Sequence, residues 1–241
     1  LVATPGSENT AVGHSALAAV TTASFNTALG SNAGGSITTG TNNVAIGRLA
    51  LDANTTANNN TAVGYASLSA NTTGTRNNAL GSISLDANTT GSYNNAFGYN
   101  SLGSNTTGED NVAMGDNAMA DNTTGDKNTA FGTSSLANNT TADNNTAIGY
   151  AALNVNTTGA QNTAVGRLAL DANTTAADNT AIGNAAMTAS TTGANNTSVG
   201  SGSMRANTTG AGGVAIGKDT LDSNTTGTRN TAVGQDALGG N

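Results

Sequence analysis

The sequence predicts an all-β fold, a parallel β-roll (β-solenoid) of about 17 residues per turn and 14 turns. Glycine recurs every 17 residues without a slip, and each of these glycines lies in the same short phrase. The phrase is rich in Asn, Thr, Gly and β-branched residues, which favour strands and turns over helices. The recurring glycines are Gly13, Gly30, Gly47, Gly64, Gly81, Gly98, Gly115, Gly132, Gly149, Gly166, Gly183, Gly200, Gly217 and Gly234.

The repeat consists of thirteen full copies from Asn9 to Arg229 and a partial copy that ends at Asn241. We number positions within a copy from its opening Asn, so that Asn9 occupies position 1 and the recurring glycine occupies position 5. A fixed period without insertions indicates that each copy is one turn of a stack, buried only against its neighbours. We therefore divide the chain into a non-repeat leader, 1–8, and a single solenoid, 9–241, and expect a rod.

Positions 1–5 predict the first strand of each turn, as in Asn-Thr-Ala-Ile-Gly at 145–149. A helix does not fit, because 17 residues make about 4.7 helical turns and equivalent positions would rotate off any common face. In a strand, positions 2 and 4 share one face, and positions 1, 3 and 5 share the other. The glycine at position 5 indicates a positive φ or a backbone approached too closely for a Cβ.

Positions 8–11 predict a second strand, centred on the Leu or Met that fills position 9 in every copy except at Gly34. The Thr-Thr at positions 13 and 14 and the Gly or Ala at position 15 predict a turn. Stacked turns would lie about 4.8 Å apart and give a rod on the order of 65 Å long. We expect the asparagines of positions 1 and 12 to form amide ladders between turns.

The apolar positions predict a thin core and an oligomer. Ala at position 3 and Leu at position 9 can fill a narrow core between two strands. Position 4 points to the opposite face and is nevertheless large and apolar in every copy. A continuous exposed apolar strip usually marks an interface, so we expect a homo-oligomer, and the sequence leaves open whether position 3 or position 4 faces the partner.

The composition excludes several function classes. The net charge is −7, and the seven basic residues are scattered, so no basic stripe is available for nucleic acid. No apolar run is long enough to insert directly into a membrane. The absence of cysteine fits secretion or surface display without disulfides. The chain starts with Leu-Val-Ala-Thr-Pro and stops inside a copy, so we expect a piece of a longer protein.

No catalytic constellation is evident, and we expect no enzyme activity, cofactor or metal. His14 is the only histidine, so a catalytic triad or a histidine-based metal site cannot form within one chain. Four aspartates share position 10, where they are either solvated carboxylates, the interpretation we favour, or the lining of a cation site. These are Asp52, Asp86, Asp171 and Asp222.

Asn-Thr-Thr occurs ten times and matches the N-glycosylation acceptor pattern. Four of these asparagines also follow an aspartate by two residues, the extended pattern associated with bacterial transfer enzymes. The sequence leaves two interpretations open, a glycan acceptor or a ladder residue beside an unrelated aspartate. The four candidate acceptors are Asn54, Asn88, Asn173 and Asn224.

We expect any recognition surface to consist of the positions that vary from copy to copy, which are 6, 7, 10, 16 and 17. Position 6 holds the best candidates, because it follows the glycine bend. Exposed tyrosines on a rigid face can stack on sugars, but simple surface decoration is the interpretation we favour. The Thr-Thr column raises ice binding as an alternative, but neighbouring strand residues point to opposite faces and would present only one column. The candidate recognition residues are Arg48, Tyr65, Tyr99, Tyr150, Arg167 and Lys218.

The phrases Asn43-Val-Ala-Ile-Gly47, Asn111-Val-Ala-Met-Gly115 and Gly213-Val-Ala-Ile-Gly217 resemble the Ser/Asn-Val-Ala-Ile-Gly signature of YadA-like head domains in trimeric autotransporter adhesins. The 17-residue form, with Asn-Thr-Ala-Val-Gly and Asn-Thr-Thr-Gly, also resembles repeats of phage tail fibres and bacterial surface proteins that carry endosialidase-type chaperone domains. The resemblance covers 9–241 and implies a left-handed roll with three chains around a common axis. Because the adhesin head uses shorter repeats, the choice between these two groups stays open.

The sequence therefore predicts a non-enzymatic structural or attachment module of an extracellular fibre, displayed on a cell surface or on a virion as a tail fibre. The expected partners are further copies of the chain and a host-cell surface glycan or protein. The alternative function is a self-assembling extracellular filament or an ice-binding solenoid.

Overall fold

A computed structural model describes residues 6–240 of the chain. The chain divides into two compact units, one ending at Thr124 and the other starting at Gly125. Each unit contains seven turns of a parallel β-solenoid, with one three-residue strand per turn and 17 residues between equivalent strands. The described residues contain no helix. The all-β class and the 17-residue turn are thus confirmed.

The strands occupy positions 2–4 of each copy. In the first unit they are β1 (Thr10–Val12), β2 (Thr27–Leu29), β3 (Val44–Ile46), β4 (Thr61–Val63), β5 (Asn78–Leu80), β6 (Asn95–Phe97) and β7 (Val112–Met114). In the second unit they are β8 (Thr129–Phe131), β9 (Thr146–Ile148), β10 (Thr163–Val165), β11 (Thr180–Ile182), β12 (Thr197–Val199), β13 (Val214–Ile216) and β14 (Thr231–Val233).

Within each unit, neighbouring strands pair in parallel and without any offset. Ala147 of β9 pairs with Ala164 of β10, and Ile148 pairs with Val165. The same register holds between β2 and β3, where Ala28 pairs with Ala45. Every position of the repeat is therefore stacked on its own equivalent in the next turn.

The predicted leader lies partly outside the described residues, which exclude 1–5. Residues 6–8 stack on the first copy, since the N–H of Phe25 donates to the carbonyl of Ser7 at 3.2 Å. Glu8 has a φ of 60°, a value shared by position 17 of the copies that follow. These three residues therefore have the geometry of positions 15–17 of a turn.

The second strand that the sequence predicts at positions 8–11 does not form, so that prediction is wrong. Positions 7 and 9 adopt left-handed backbone angles, as at Ala151 (φ 52°) and Leu153 (φ 53°), and an extended strand requires negative φ throughout. The segment still bonds between turns, because the N–H of Leu153 donates to the carbonyl of Ala169 at 2.9 Å. Inter-turn hydrogen bonds thus hold this side of the turn without a second sheet.

The core consists of positions 3, 8 and 9, as at Ala147, Ala152 and Leu153, which are all fully buried. A left-handed backbone costs a residue such as leucine about 1–2 kcal/mol. Complete burial of its side chain contributes about 1.5–3 kcal/mol, which offsets that cost. The narrow core that the sequence predicts from positions 3 and 9 is confirmed.

Gly34, the one exception at position 9, is compensated within its own turn. The side chain of Ile37, at position 12, is fully buried. A Cβ built on Gly34 would lie 2.9 Å from the Cδ1 atom of Ile37. Ile37 therefore occupies the space that leucine fills from position 9 in other copies.

Both reasons given by the sequence for the position-5 glycine hold at Gly149. Its φ is 131°, a backbone conformation that residues with a Cβ atom rarely adopt. A Cβ built there would lie 2.6 Å from the carbonyl oxygen of Gly166 and 2.7 Å from its carbonyl carbon. The backbones of successive turns are thus in direct contact at position 5.

Buried asparagines form the two predicted ladders. At position 1, the Oδ1 atom of Asn26 accepts the backbone N–H of Asn43 at 2.9 Å. The Nδ2 groups of Asn43 and Asn54, at positions 1 and 12, both donate to the carbonyl of Ala57, at 2.9 and 3.1 Å. At position 12, Nδ2 of Asn71 also donates to Oδ1 of Asn54 at 3.3 Å. The two ladders therefore meet at the carbonyl of position 15.

We expect Gly149→Ala to destabilise the second unit by several kcal/mol, because the new Cβ overlaps the Gly166 carbonyl in a backbone conformation that alanine disfavours. Thermal unfolding followed by circular dichroism measures the effect. Gly212→Ala is the matched control, since its φ is 67° and its Cβ would meet only Arg229, at 3.6 Å. Equal melting temperatures for the two variants would contradict the packing described for position 5.

We expect Ser190→Asn to stabilise the chain by about 1–3 kcal/mol, because Ser190 interrupts the position-12 ladder. Oδ1 of Asn173 and Oγ of Ser190 are buried and have no hydrogen-bond partner. An asparagine at 190 would donate to Asn173 as Asn173 donates to Asn156, at 2.8 Å. The melting temperature should rise, whereas Ser190→Ala, which leaves Oδ1 of Asn173 without a donor, should not produce this gain.

Candidate functional site

The side chains of position 4 form an apolar row on the outer face of the strands, which we call the apolar stripe. In β9, Ala147 is fully buried, while the neighbouring Ile148 is 40% exposed and Phe131 in β8 is 54% exposed. This settles the alternative left open by the sequence within one chain: position 3 faces the core and position 4 faces outward. The other members of the stripe exposed to a similar degree are Val12, Leu29, Leu80, Ile182, Ile216 and Val233.

Positions 6 and 17 border the strand at its two ends and carry most of the exposed aromatic and charged side chains. Each is attached to a tightly held backbone: position 6 follows the glycine contact, and position 17 has the left-handed conformation, as at Tyr93 (φ 62°). Both rows are therefore anchored at their backbones by the stack of turns.

The six predicted recognition residues are exposed, three in each unit. In the first unit the guanidinium of Arg48 lies 5.7 Å from the ring centroid of Tyr65, within the range of a cation–π contact. In the second unit Lys218 forms an ion pair with Asp219 at 3.1 Å. Among the six residues, the described chain shows a cation–π contact only between Arg48 and Tyr65. The remaining members are Tyr99, Tyr150 and Arg167.

Position 17 contributes a second exposed pair of an arginine and a tyrosine, which is not among the six predicted recognition residues. Nη1 of Arg76 donates to the hydroxyl of Tyr93 at 2.6 Å, and its guanidinium lies 5.3 Å from the ring centroid. Phe25, also at position 17, is 53% exposed. The sequence signal is the variability of position 17, which belongs to the predicted variable set although none of the six candidate residues lies there.

The candidate N-glycosylation sites belong to the position-12 ladder. Asn54, Asn88 and Asn173 are fully buried, and the Nδ2 group of each donates to the carbonyl three residues later at 3.0 or 3.1 Å. Asn224 is only partly buried and makes the same bond to Gly227 at 3.1 Å. Because a transferase must reach Nδ2, the folded turn favours the ladder interpretation at the three buried sites.

The aspartates of position 10 are less solvated than the sequence predicts. Loss of hydration by burial raises the pKa of Asp52, Asp86 and Asp171 above its ordinary value. Asp222 instead forms an ion pair with Arg205 at 3.3 Å. Across residues 6–240, no group of three or more His, Cys, Asp or Glu side chains is placed to hold a metal ion.

A shallow depression is lined by Asn195, Ala211, Gly212, Thr228 and Arg229, where glycine interrupts the row of position-17 side chains. His14 is exposed on the first copy. Within the described range no helix is long and apolar enough to cross a membrane.

Comparison with known proteins leaves these surfaces as the main guide to function. No family model matches the chain, and no curated protein is significantly similar to it. The functional argument therefore depends on the apolar stripe, the exposed rows and the stacked turn itself.

Proposed function

We propose that the chain is a non-enzymatic structural and attachment module of an extracellular fibre, and that it acts as a homo-oligomer. The observation that carries the proposal is the apolar stripe, which lies outside a core that is already complete. Ala147 and Leu153 fill the interior of their turn, whereas Ile148 lies outside that interior and leaves 40% of its surface exposed. The resemblance of the repeat to adhesin heads and fibre proteins supports an extracellular setting and a trimer.

The stripe favours a partner with the same periodicity. Equivalent side chains recur at about 4.8 Å, the spacing between parallel strands. A second copy of the chain offers an apolar row of identical spacing, and contact between such rows removes both from water. Burying the exposed part of one isoleucine or phenylalanine contributes about 25 cal/mol for each Å². Repetition along seven turns of a unit multiplies a small gain per turn.

The proposed attachment role depends on positions 6 and 17. Their side chains vary while the backbone beneath them is uniform, so the stack presents different chemistry at regular intervals. Arg48 on Tyr65 and Arg76 on Tyr93 hold aromatic rings at the surface. Exposed aromatic faces of this kind suit stacking on the rings of a cell-surface glycan, the partner class we propose.

We expect Ile148→Asp to dissociate the oligomer or unfold it, because an unpaired carboxylate buried in a dry interface costs about 3–5 kcal/mol. Analytical ultracentrifugation or native mass spectrometry measures the change. Tyr150→Ala is the matched control, two residues away at position 6, and should alter neither mass nor melting temperature. A wild-type chain that sediments as a monomer at micromolar concentration would contradict the proposal.

We expect simultaneous replacement of the six recognition candidates by serine to abolish glycan or whole-cell binding without altering the oligomer, because the six side chains lie outside the stripe. A glycan array and a cell-binding assay measure the loss. Undiminished binding would make the roll a passive spacer. The six residues are Arg48, Tyr65, Tyr99, Tyr150, Arg167 and Lys218.

A further inference from the structure

The two threonines of each complete copy have different surroundings. At position 13, the Oγ1 of Thr89 donates to the carbonyl of Thr106 in the next turn at 3.0 Å, and most copies repeat this bond. At position 14, the backbone N–H of Thr90 donates to the same carbonyl at 3.2 Å, but its side chain points away from the stack. The structure of the turn thus explains a hydroxyl at position 13 and does not explain one at position 14.

Position 14 is threonine in all thirteen complete copies and exposed in every one. None of these hydroxyls forms a hydrogen bond with another described residue. Valine has the same branched shape and would satisfy the stack equally well. The recurrence of the hydroxyl therefore indicates a use outside the chain. The thirteen residues are Thr22, Thr39, Thr56, Thr73, Thr90, Thr107, Thr124, Thr141, Thr158, Thr175, Thr192, Thr209 and Thr226.

The N-glycosylation pattern does not account for this threonine. Position 12 is Val20, Ile37 or Ser190 in three copies, which therefore lack the acceptor asparagine. Position 14 is threonine in these copies as well. Elsewhere, apart from the partly buried Asn224, the asparagine is buried in the ladder. At those buried sites the accessible nucleophile of the Asn-Thr-Thr motif is therefore the second hydroxyl and not the amide.

The surroundings of position 14 narrow the modification it could carry. Positions 12–15 hold no charged residue in any copy, and position 15 is Gly or Ala, which leaves space beside the hydroxyl. Phosphate groups on successive turns would place dianions about 4.8 Å apart, with a repulsion of several kcal/mol per pair even in water. A neutral group avoids that repulsion, and an attached monosaccharide is the neutral group that surface hydroxyls commonly take in extracellular proteins.

We propose that the position-14 threonines are acceptors for O-linked glycosylation. In this step the Oγ1 atom attacks the anomeric carbon of a nucleoside-diphosphate sugar, and the glycosidic C–O bond forms. The bond from that carbon to the phosphate oxygen breaks, the nucleoside diphosphate leaves with the electron pair, and the hydroxyl proton passes to a base of the transferase. Ice binding is less suited to this surface, because the position-13 hydroxyls are engaged and only a single row remains free.

Peptide mapping by mass spectrometry of the protein isolated from the cells that naturally make it tests the inference. We expect hexose or N-acetylhexosamine on Thr90 in the wild type. In Thr90→Val this sugar should be lost, with other copies still modified and the melting temperature unchanged. Thr89→Val is the matched control, which should keep the sugar on Thr90 but melt at a lower temperature because it loses the bond to Thr106.

Three results would overturn the inference. These are an unmodified wild-type protein, sugar attached to Asn88 instead of Thr90, or a melting temperature that falls as far in Thr90→Val as in Thr89→Val. The choice of a sugar rests on the extracellular setting of the proposed function, but the two proposals are tested separately, since the native mass of Thr90→Val reports on the oligomer independently of the glycan.

Discussion

Self-stacking is the constraint on which the rest of this structure depends. Because each position lies on its own equivalent in the next turn, a residue is acceptable only if it can contact a copy of itself at about 4.8 Å. Amides meet this condition, since one asparagine donates where the next accepts, and glycine meets it by allowing backbones to touch. A buried charge does not meet it. Accordingly, positions 1–5, 8, 9 and 12–15 carry no charged residue in any copy.

The same constraint explains how a chain with so few large apolar residues closes its turn. In the third copy, Asn43 begins the turn and Asn54 lies near its end, and both amides donate to the carbonyl of Ala57. The amides thus join the two sides of the turn at a point where no apolar side chain is available. Leu51, fully buried at position 9, supplies the apolar part of the same interior.

The sequence predicted the strand, the ladders, the core and the contact at the glycine, because each depends on one residue type recurring at one position. It did not predict the left-handed residues at positions 7 and 9, which replace the second strand. A signal was present: position 9 uses Leu153 or Met187 but never a β-branched residue, whereas Ile148 and Val165 fill position 4. β-branched side chains are poorly tolerated at positive φ, and leucine is tolerated better.

The candidate surfaces were predicted less completely, because which side chains are exposed depends on the path of the chain and not only on recurring residue types. Periodicity assigns positions 3 and 4 to opposite faces, but only the path of the chain between Ile148 and Leu153 decides which face is inside. The burial of Asn54 likewise depends on where the turn closes, which the acceptor motif does not encode. Variable positions such as Tyr65 and Tyr93 are exposed as expected, but their contacts with arginines of the preceding turn depend on side-chain reach, which no pattern specifies.

Parallel pairing in strict register also has an evolutionary consequence. Ala147 pairs with Ala164, and Ala164 pairs with Ala181, so excising one copy from the gene would leave each remaining residue facing the partner type it already had. Duplication by unequal recombination would be equally harmless, provided that it added whole copies. Inserting or deleting even one codon would instead place every residue of a turn on the wrong position of the next turn. The Asn of position 1, for example, would lie against the Thr of position 2. Selection can therefore adjust the number of copies readily while holding the length of each copy fixed.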